Sequence, residues 1–135
     1  MKIIVAQRHR ENLLGIKEGV AKIDPARSRE ILFTSIPEAV LDAVMDGSPA
    51  FVVSGQVFDS HIEGSQLARL VKQVNPQVRF YMYSVMPHRN EAVDGVIPKS
   101  CGTAVSGEHP MLARILASDL EAATSETLMR TFQVG

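Results

Sequence analysis

The chain has no surplus of either charge: 14 lysines and arginines stand against 15 aspartates and glutamates, a formal net charge of −1 over 135 residues. A domain whose main task is gripping nucleic acid or an anionic membrane needs a clear basic excess, so both are excluded as principal partners. Cysteine is nearly missing. The single Cys101 rules out an internal disulfide framework and the usual multi-cysteine zinc sites. Long apolar runs are missing as well. The opening MKIIVAQRHRENLLG offers only Ile3–Ala6 before Gln7, Arg8 and His9 intervene, too short for a signal-peptide core or a membrane span. What the chain does have is 45% apolar and 21% charged residues, enough for a real core at the length of one domain. A soluble, cytoplasmic, single globular domain is the expectation.

Short β-rich runs alternate with helix-like stretches. Ile3–Ala6 is apolar at consecutive positions, as in a strand covered on both faces. A helix follows from about Arg10 to Ile23, with Leu13, Ile16 (or Leu14), Val20 and Ile23 on one stripe, until Asp24-Pro25 breaks it. Ile31–Thr34 is the second strand. Ser35-Ile36-Pro37-Glu38 has the pattern of a capped helix start, and Val40, Leu41, Val44 and Met45 supply its apolar face. Phe51–Ser54 is the third strand. Leu67, Leu70, Val71 and Val74 mark a helix from about Gly64 to Val74, closed by Asn75-Pro76. Val78–Tyr83 and Val93–Ile97 are the fourth and fifth strands, and a last helix opens at His109-Pro110 and runs through Leu120. This alternation predicts βαβ units and a parallel sheet with helices on both faces. Residues 1–120 form the domain; 121–135 are a helical extension or a tail.

Several segments together resemble a response-regulator receiver domain. KIIVAQRHRENL is similar to that family's first strand and turn, FTSIPEAVLDAV to its second strand and helix, and GSQLARLVKQVNPQVRFYMYS to its third helix and fourth strand. GVIPKS is similar to the strand that delivers the family's lysine. The resemblance implies a doubly wound, five-stranded sheet in the flavodoxin-like order 2-1-3-4-5, with its functional crevice at the carboxyl ends of the strands.

The resemblance also implies which positions carry the family's chemistry. Two acidic residues after the first strand hold Mg²⁺, a hard cation that takes carboxylate oxygens; here those positions are Gln7 and Arg8. The phosphoryl-accepting aspartate falls on Gly55 counted from the third strand, or on Gln56 counted back from Gly64. The hydroxyl residue of the fourth strand is present as Ser84 and the lysine of the fifth as Lys99, while the aromatic switch position is Val96. Both acidic positions and the acceptor are lost. The resemblance therefore implies a pseudo-receiver that is no enzyme, needs no cofactor, and binds a signalling protein. Between Ser84 and Lys99, nine residues remain outside the fifth strand, whereas a helix with two loops needs about 12 or more. The helix between the fourth and fifth strands is thus shortened or absent, and the surface that partners read in the family is remodelled.

Other features admit a second reading. Arg8 and Lys99 reach the crevice with no carboxylate between them, an arrangement that favours a bound anion or an acidic side chain unless Asp59 or Glu63 folds in. Asp59-Ser60-His61-Ile62-Glu63-Gly64 fits the D-x-H-x-x-G loop of cobalamin-binding domains, though it follows the third strand rather than the first. A small doubly wound domain binding an anion or cofactor in an enzymatic role is the alternative. Cys101 has no histidine base fixed beside it and is expected to be inert. Phe80-Tyr81-Met82-Tyr83 is core rather than a base-stacking platform. Leu128, Met129 and Phe132 need cover, either from the domain or from a second copy in a homodimer through the last helix.

Overall fold

Five parallel strands make one sheet in the order β2-β1-β3-β4-β5. They are β1 (Lys2–Ala6), β2 (Ile31–Thr34), β3 (Ala50–Ser54), β4 (Val78–Tyr83) and β5 (Gly95–Ile97). The helices are α1 (Arg10–Ile23), α2 (Pro25–Glu30), α3 (Pro37–Val44), α4 (Gly64–Val74) and α5 (Pro110–Ala117). This is a computed structural model, and it describes residues 1–99, 109–118 and 120. The calls on Cys101 and on residues 121–135 lie outside that range.

Side chains alternate across each strand, and the sequence fills both faces. Ile3, Val5, Phe51, Val53, Tyr81 and Tyr83 pack with Leu13, Ile16 and Val20 of α1 and Leu112, Ile115 and Leu116 of α5. Ile4, Ala6, Val52, Phe80 and Met82 pack on the other side with Val40 and Val44 of α3 and Leu67 and Val71 of α4. Two apolar layers around one parallel sheet give the flavodoxin-like receiver fold. Because every strand runs the same way, all the carboxyl ends share one edge, where a crevice can form.

Local departures from the expected pattern have local causes. Asp24 ends α1 but also starts α2: its Oδ1 accepts from Arg27 N at 3.1 Å, and Pro25 occupies the first helical position. Ser35 is not the cap of α3. Ile36 holds that place without a side-chain bond, Thr34 Oγ1 accepts from Ile36 N at 3.0 Å, and Glu38 takes the Ser60 hydroxyl instead. The realised capping box is at α4, between Glu63 and Gln66. β5 is shorter than expected because the Asp94 carboxylate accepts from Phe80 N at 2.7 Å, in the place of a further strand residue's carbonyl.

Ile16 rather than Leu14 faces the core, while Ile23 and Met45 at their helix ends are exposed. Residues 84–94 contain no helix, as the short spacing requires. α5 ends at Ala117, earlier than expected, and its apolar side lies within the domain against α1. Among the described residues, no helix is long and apolar enough to cross a membrane.

Candidate functional site

The carboxyl edge of the sheet opens into a cleft of about 200 Å³, lined among others by Gln7, Arg8, Asn12, Gly55, Ser84 and Lys99. The parallel registers bring these residues together: Ala6 pairs with Ser54, so Gln7 and Gly55 emerge side by side, and Gly55 N extends the ladder by donating to Ala6 O at 2.9 Å.

Gln7 occupies the middle of the cleft and is only 2% exposed. Its Nε2 donates to Tyr83 O at 3.0 Å, and its Oε1 accepts from Lys99 Nζ at 3.0 Å. A neutral amide thus satisfies both a strand-end carbonyl and an ammonium group. The ammonium also lies 5.2 Å from the centre of the Tyr83 ring. Among the described residues Lys99 has no carboxylate partner, and burial lowers its pKa.

From Lys99 the contacts continue inward. The Tyr83 hydroxyl pairs with His109 Nδ1 at 2.5 Å, just before α5 begins. Burial pushes the Tyr83 phenol up to about 12. His109 is shifted down by burial and then by the Lys99 charge. His109 Nε2 is buried without a partner among the described residues.

The two counts for the acceptor position separate in space. A Cβ placed on Gly55 would lie 3.3 Å from Gln7 Nε2, so a side chain at 55 faces the cleft. Gln56 also lines the cleft, but its amide is bonded to the loops rather than to Gln7 or Lys99. It is 4% exposed, donates weakly to Glu63 and Ser65, and accepts from His88 N at 3.1 Å, tying the β3–α4 loop to the β4–β5 connection. Ser84 Oγ accepts from Met86 N at 3.3 Å. Val96 packs on the sheet face shared with α3 and α4.

Arg8 and Lys99 line the same cleft, but Arg8 is not unpaired: its Nε donates to Asp59 Oδ1 at 3.0 Å. Both partners are well exposed, so the pair is worth at most about 1 kcal/mol and can open readily. The same bond takes Asp59 away from His61. His61 is exposed and lies beside α4, on a shallow groove it shares with Ile62 and Arg69. The D-x-H-x-x-G pattern therefore does not assemble an aspartate-oriented imidazole. Its glycine has a steric role: Gly64 N donates to Gln56 O at 2.7 Å, and a Cβ there would overlap the Gly55 carbonyl. Among the described residues no group of three His, Cys, Asp or Glu side chains could hold a metal ion.

Three residues of this region escaped the sequence reading. Tyr83 is buried, as its place in an apolar strand implies, but its link to Lys99 leaves no mark in the sequence. His109 marks a helix start in the sequence, and nothing in the spacing points to Tyr83. Asn12 is 2% exposed, and its Oδ1 has no partner. The sequence does hold a signal for it, because Asn12 sits four residues before Ile16 and eight before Val20, on the buried stripe of α1.

No family model matches the sequence, nor does any curated protein. Two solved structures are similar in fold. The isolated REC domain of RcsB from Salmonella enterica serovar Typhimurium, in the presence of the phosphomimetic BeF3⁻, has 17% identity and a TM-score of 0.60, over 98% of each chain. RcsB of the same organism bound to a promoter has 14% identity and a TM-score of 0.57, over all of this chain and 67% of that one.

Proposed function

We propose that this receiver-like domain takes no covalent phosphoryl group and acts as a protein–protein interaction module in bacterial signal transduction. The observation that carries the reading is the centre of the cleft. Position 55 has no side chain, and the lysine that would meet an acceptor carboxylate is bonded to the Gln7 amide. The 3.3 Å approach of a Cβ at 55 to Gln7 favours Gly55 over Gln56 as the acceptor-equivalent position in this reading. Capture of a phosphoryl group also needs a divalent cation on carboxylate oxygens, whereas positions 7 and 8 supply an amide and a guanidinium.

The interaction surface is assigned to the rim. Residues 84–94 cross from β4 to β5 without a helix, leaving Met86 76% exposed and Val85 exposed beside the cleft, with Val57 on the facing loop. Apolar side chains at an otherwise polar mouth suit a partner's apolar contact, surrounded by charged groups that set orientation. A signalling protein is the partner class.

Two measurements test this. Incubation with acetyl phosphate and Mg²⁺ followed by intact-mass analysis should show no stoichiometric gain of about 80 Da; a full adduct defeats the proposal. A tagged protein should retain a partner from its own cell that Met86→Asp loses at equal folded concentration. Identical capture by the variant would remove the rim from the account.

A further inference from the structure

An open sheet has two edges, and this one guards them unequally. At one end β5 is three residues long and runs into Pro98, two features that discourage a further strand from pairing there. At the other end β2 pairs with β1 over all four of its residues, Ile31–Thr34, with no bulge, proline or charged side chain in it. Its outward backbone is open. Gln7 N donates to Thr34 O, so Leu32 and Thr34 turn their amides and carbonyls toward β1, while Phe33 turns its own away from the sheet. Among the described residues, that outward N–H and C=O of Phe33 meet no hydrogen-bond partner. The side chains along this edge are apolar and incompletely covered. Leu32 is 42% exposed, Ile36 just past the strand is 55% exposed, and Phe33 is only partly buried.

The complement that fits this edge is the same edge of another chain. Residues 31–37 carry no charge, and Arg29 and Glu30 before them cancel, so two copies approach with no like charges directly opposed. Phe33 offers one donor and one acceptor, and an antiparallel copy returns the same pair in reverse. We infer that β2 pairs antiparallel with β2 of a second copy, about a twofold axis at Phe33, joining two five-stranded sheets into one. Phe33 N–H then donates to the Phe33 carbonyl of the second copy and receives the reciprocal bond. Leu32 lies opposite Thr34 of the second copy and diagonally beside its Leu32, which covers the exposed leucine. Each chain uses its β2 edge on the other, so the assembly closes at two and its outer edges are the guarded β5 strands. A contact made mainly by one short strand belongs at the small end of specific interfaces, so a Kd of tens of micromolar, about 50 µM, is expected. The strands of the two copies run in opposite directions, which sets the two carboxyl edges at opposite ends of the dimer. Two rims are then reachable at once, whatever those rims bind.

Hydrogen exchange at two neighbouring amides reads the pairing without any substitution. The Phe33 amide faces outward and is covered only in the dimer, whereas the Leu32 amide faces β1 in either state. Sedimentation equilibrium of the full chain from about 10 µM to about 1 mM should fit a monomer–dimer equilibrium. Over the same range, exchange at Phe33 should slow about fivefold, the fall in free chain that such an affinity gives, while exchange at Leu32 stays slow throughout. A chain that remains monomeric to about 1 mM overturns the inference. So does a dimer in which Phe33 exchange is independent of concentration, since another face would then hold the copies together. Leu32→Lys sets two like charges near the axis on a side chain already exposed, and should weaken the dimer at least about tenfold. Leu14→Lys, on the exposed side of α1, should dimerise as the parent chain does, because that helix face takes no part. Loss of the dimer in Leu14→Lys with Leu32→Lys unaffected would assign the contact to the helices and overturn the pairing. If Leu32→Lys fails to fold, the exchange comparison on the unsubstituted chain still decides.

Discussion

Gly64→Ala sets two effects of opposite sign against each other. Gly64 is the first residue of α4, and helix propensity alone would favour alanine there by up to about 1 kcal/mol. Sterics oppose it. The new Cβ would overlap the Gly55 carbonyl oxygen and lie 2.9 Å from Met82 Cε and 3.0 Å from Gln56 Cα. The methionine tip can move, but the other two atoms are backbone. One belongs to the residue that continues the β3 ladder, and the other to the residue whose carbonyl accepts from Gly64 N. Relief therefore requires shifting the β3–α4 loop and its hydrogen bond together. Overpacking of this kind costs about 1–3 kcal/mol, and the lost bond adds to it, so a net destabilisation of about 2–3 kcal/mol is expected. With a urea slope of about 1–3 kcal/mol/M, the midpoint should fall by about 1 M or more at unchanged slope. An unchanged or higher midpoint would refute the close approach of α4 to Gly55 on which the shape of the cleft depends.

Asn75→Ala should cost about 2–3 kcal/mol in urea unfolding: the fully buried amide donates to Val44 O and Ser48 O and accepts from Gln77 N, so its loss leaves carbonyls unmet. His109 carries a pH signature. Its folded pKa is below the ordinary 6.5, so its contribution is present above 6.5 and is lost as pH falls toward the folded value. The urea midpoint should drop from pH 7 to pH 5, and His109→Gln should flatten that drop. Tyr83 acts at the other end of the scale. Its phenol is raised from 10.0 to about 12, so its contribution is full below 10 and is lost between 10 and 12 as pH rises. Lys99, with a lowered pKa, has the opposite sign, so the Tyr83 loss is best read from phenolate absorbance against urea midpoint in a Lys99→Met background.

The fold was legible because the apolar pattern is nearly unopposed. β2 and β4, and the helices α1 and α4, have the limits that periodicity assigns them. Where the reading slipped, a side chain had made a choice that spacing does not encode. Asp24 caps α2 instead of only ending α1, and Asp94 delays the start of β5 by binding the backbone of Phe80. The site was legible as a set of positions but not as a network. Counting placed Gln7, Gly55, Ser84 and Lys99 at strand ends, and the parallel registers bring them to one cleft. Counting did not reveal that Gln7 bonds Lys99, or that Tyr83 joins Lys99 to His109 across gaps of 16 and 26 residues, because such contacts depend on side-chain direction. Asn12 was missed for a simpler reason: a polar residue on a buried stripe draws no notice until its missing partner is seen.

Whether a guanidinium, an amide and a bare glycine hydrogen can stand in for metal-binding and acceptor carboxylates is decided most directly by titrating the labelled chain with Mg²⁺ and beryllofluoride. Amide resonances at Gln7, Gly55, Ser84 and Lys99 should stay within the drift that ionic strength alone produces. Saturable shifts at those four positions, dependent on both reagents together, would contradict the account.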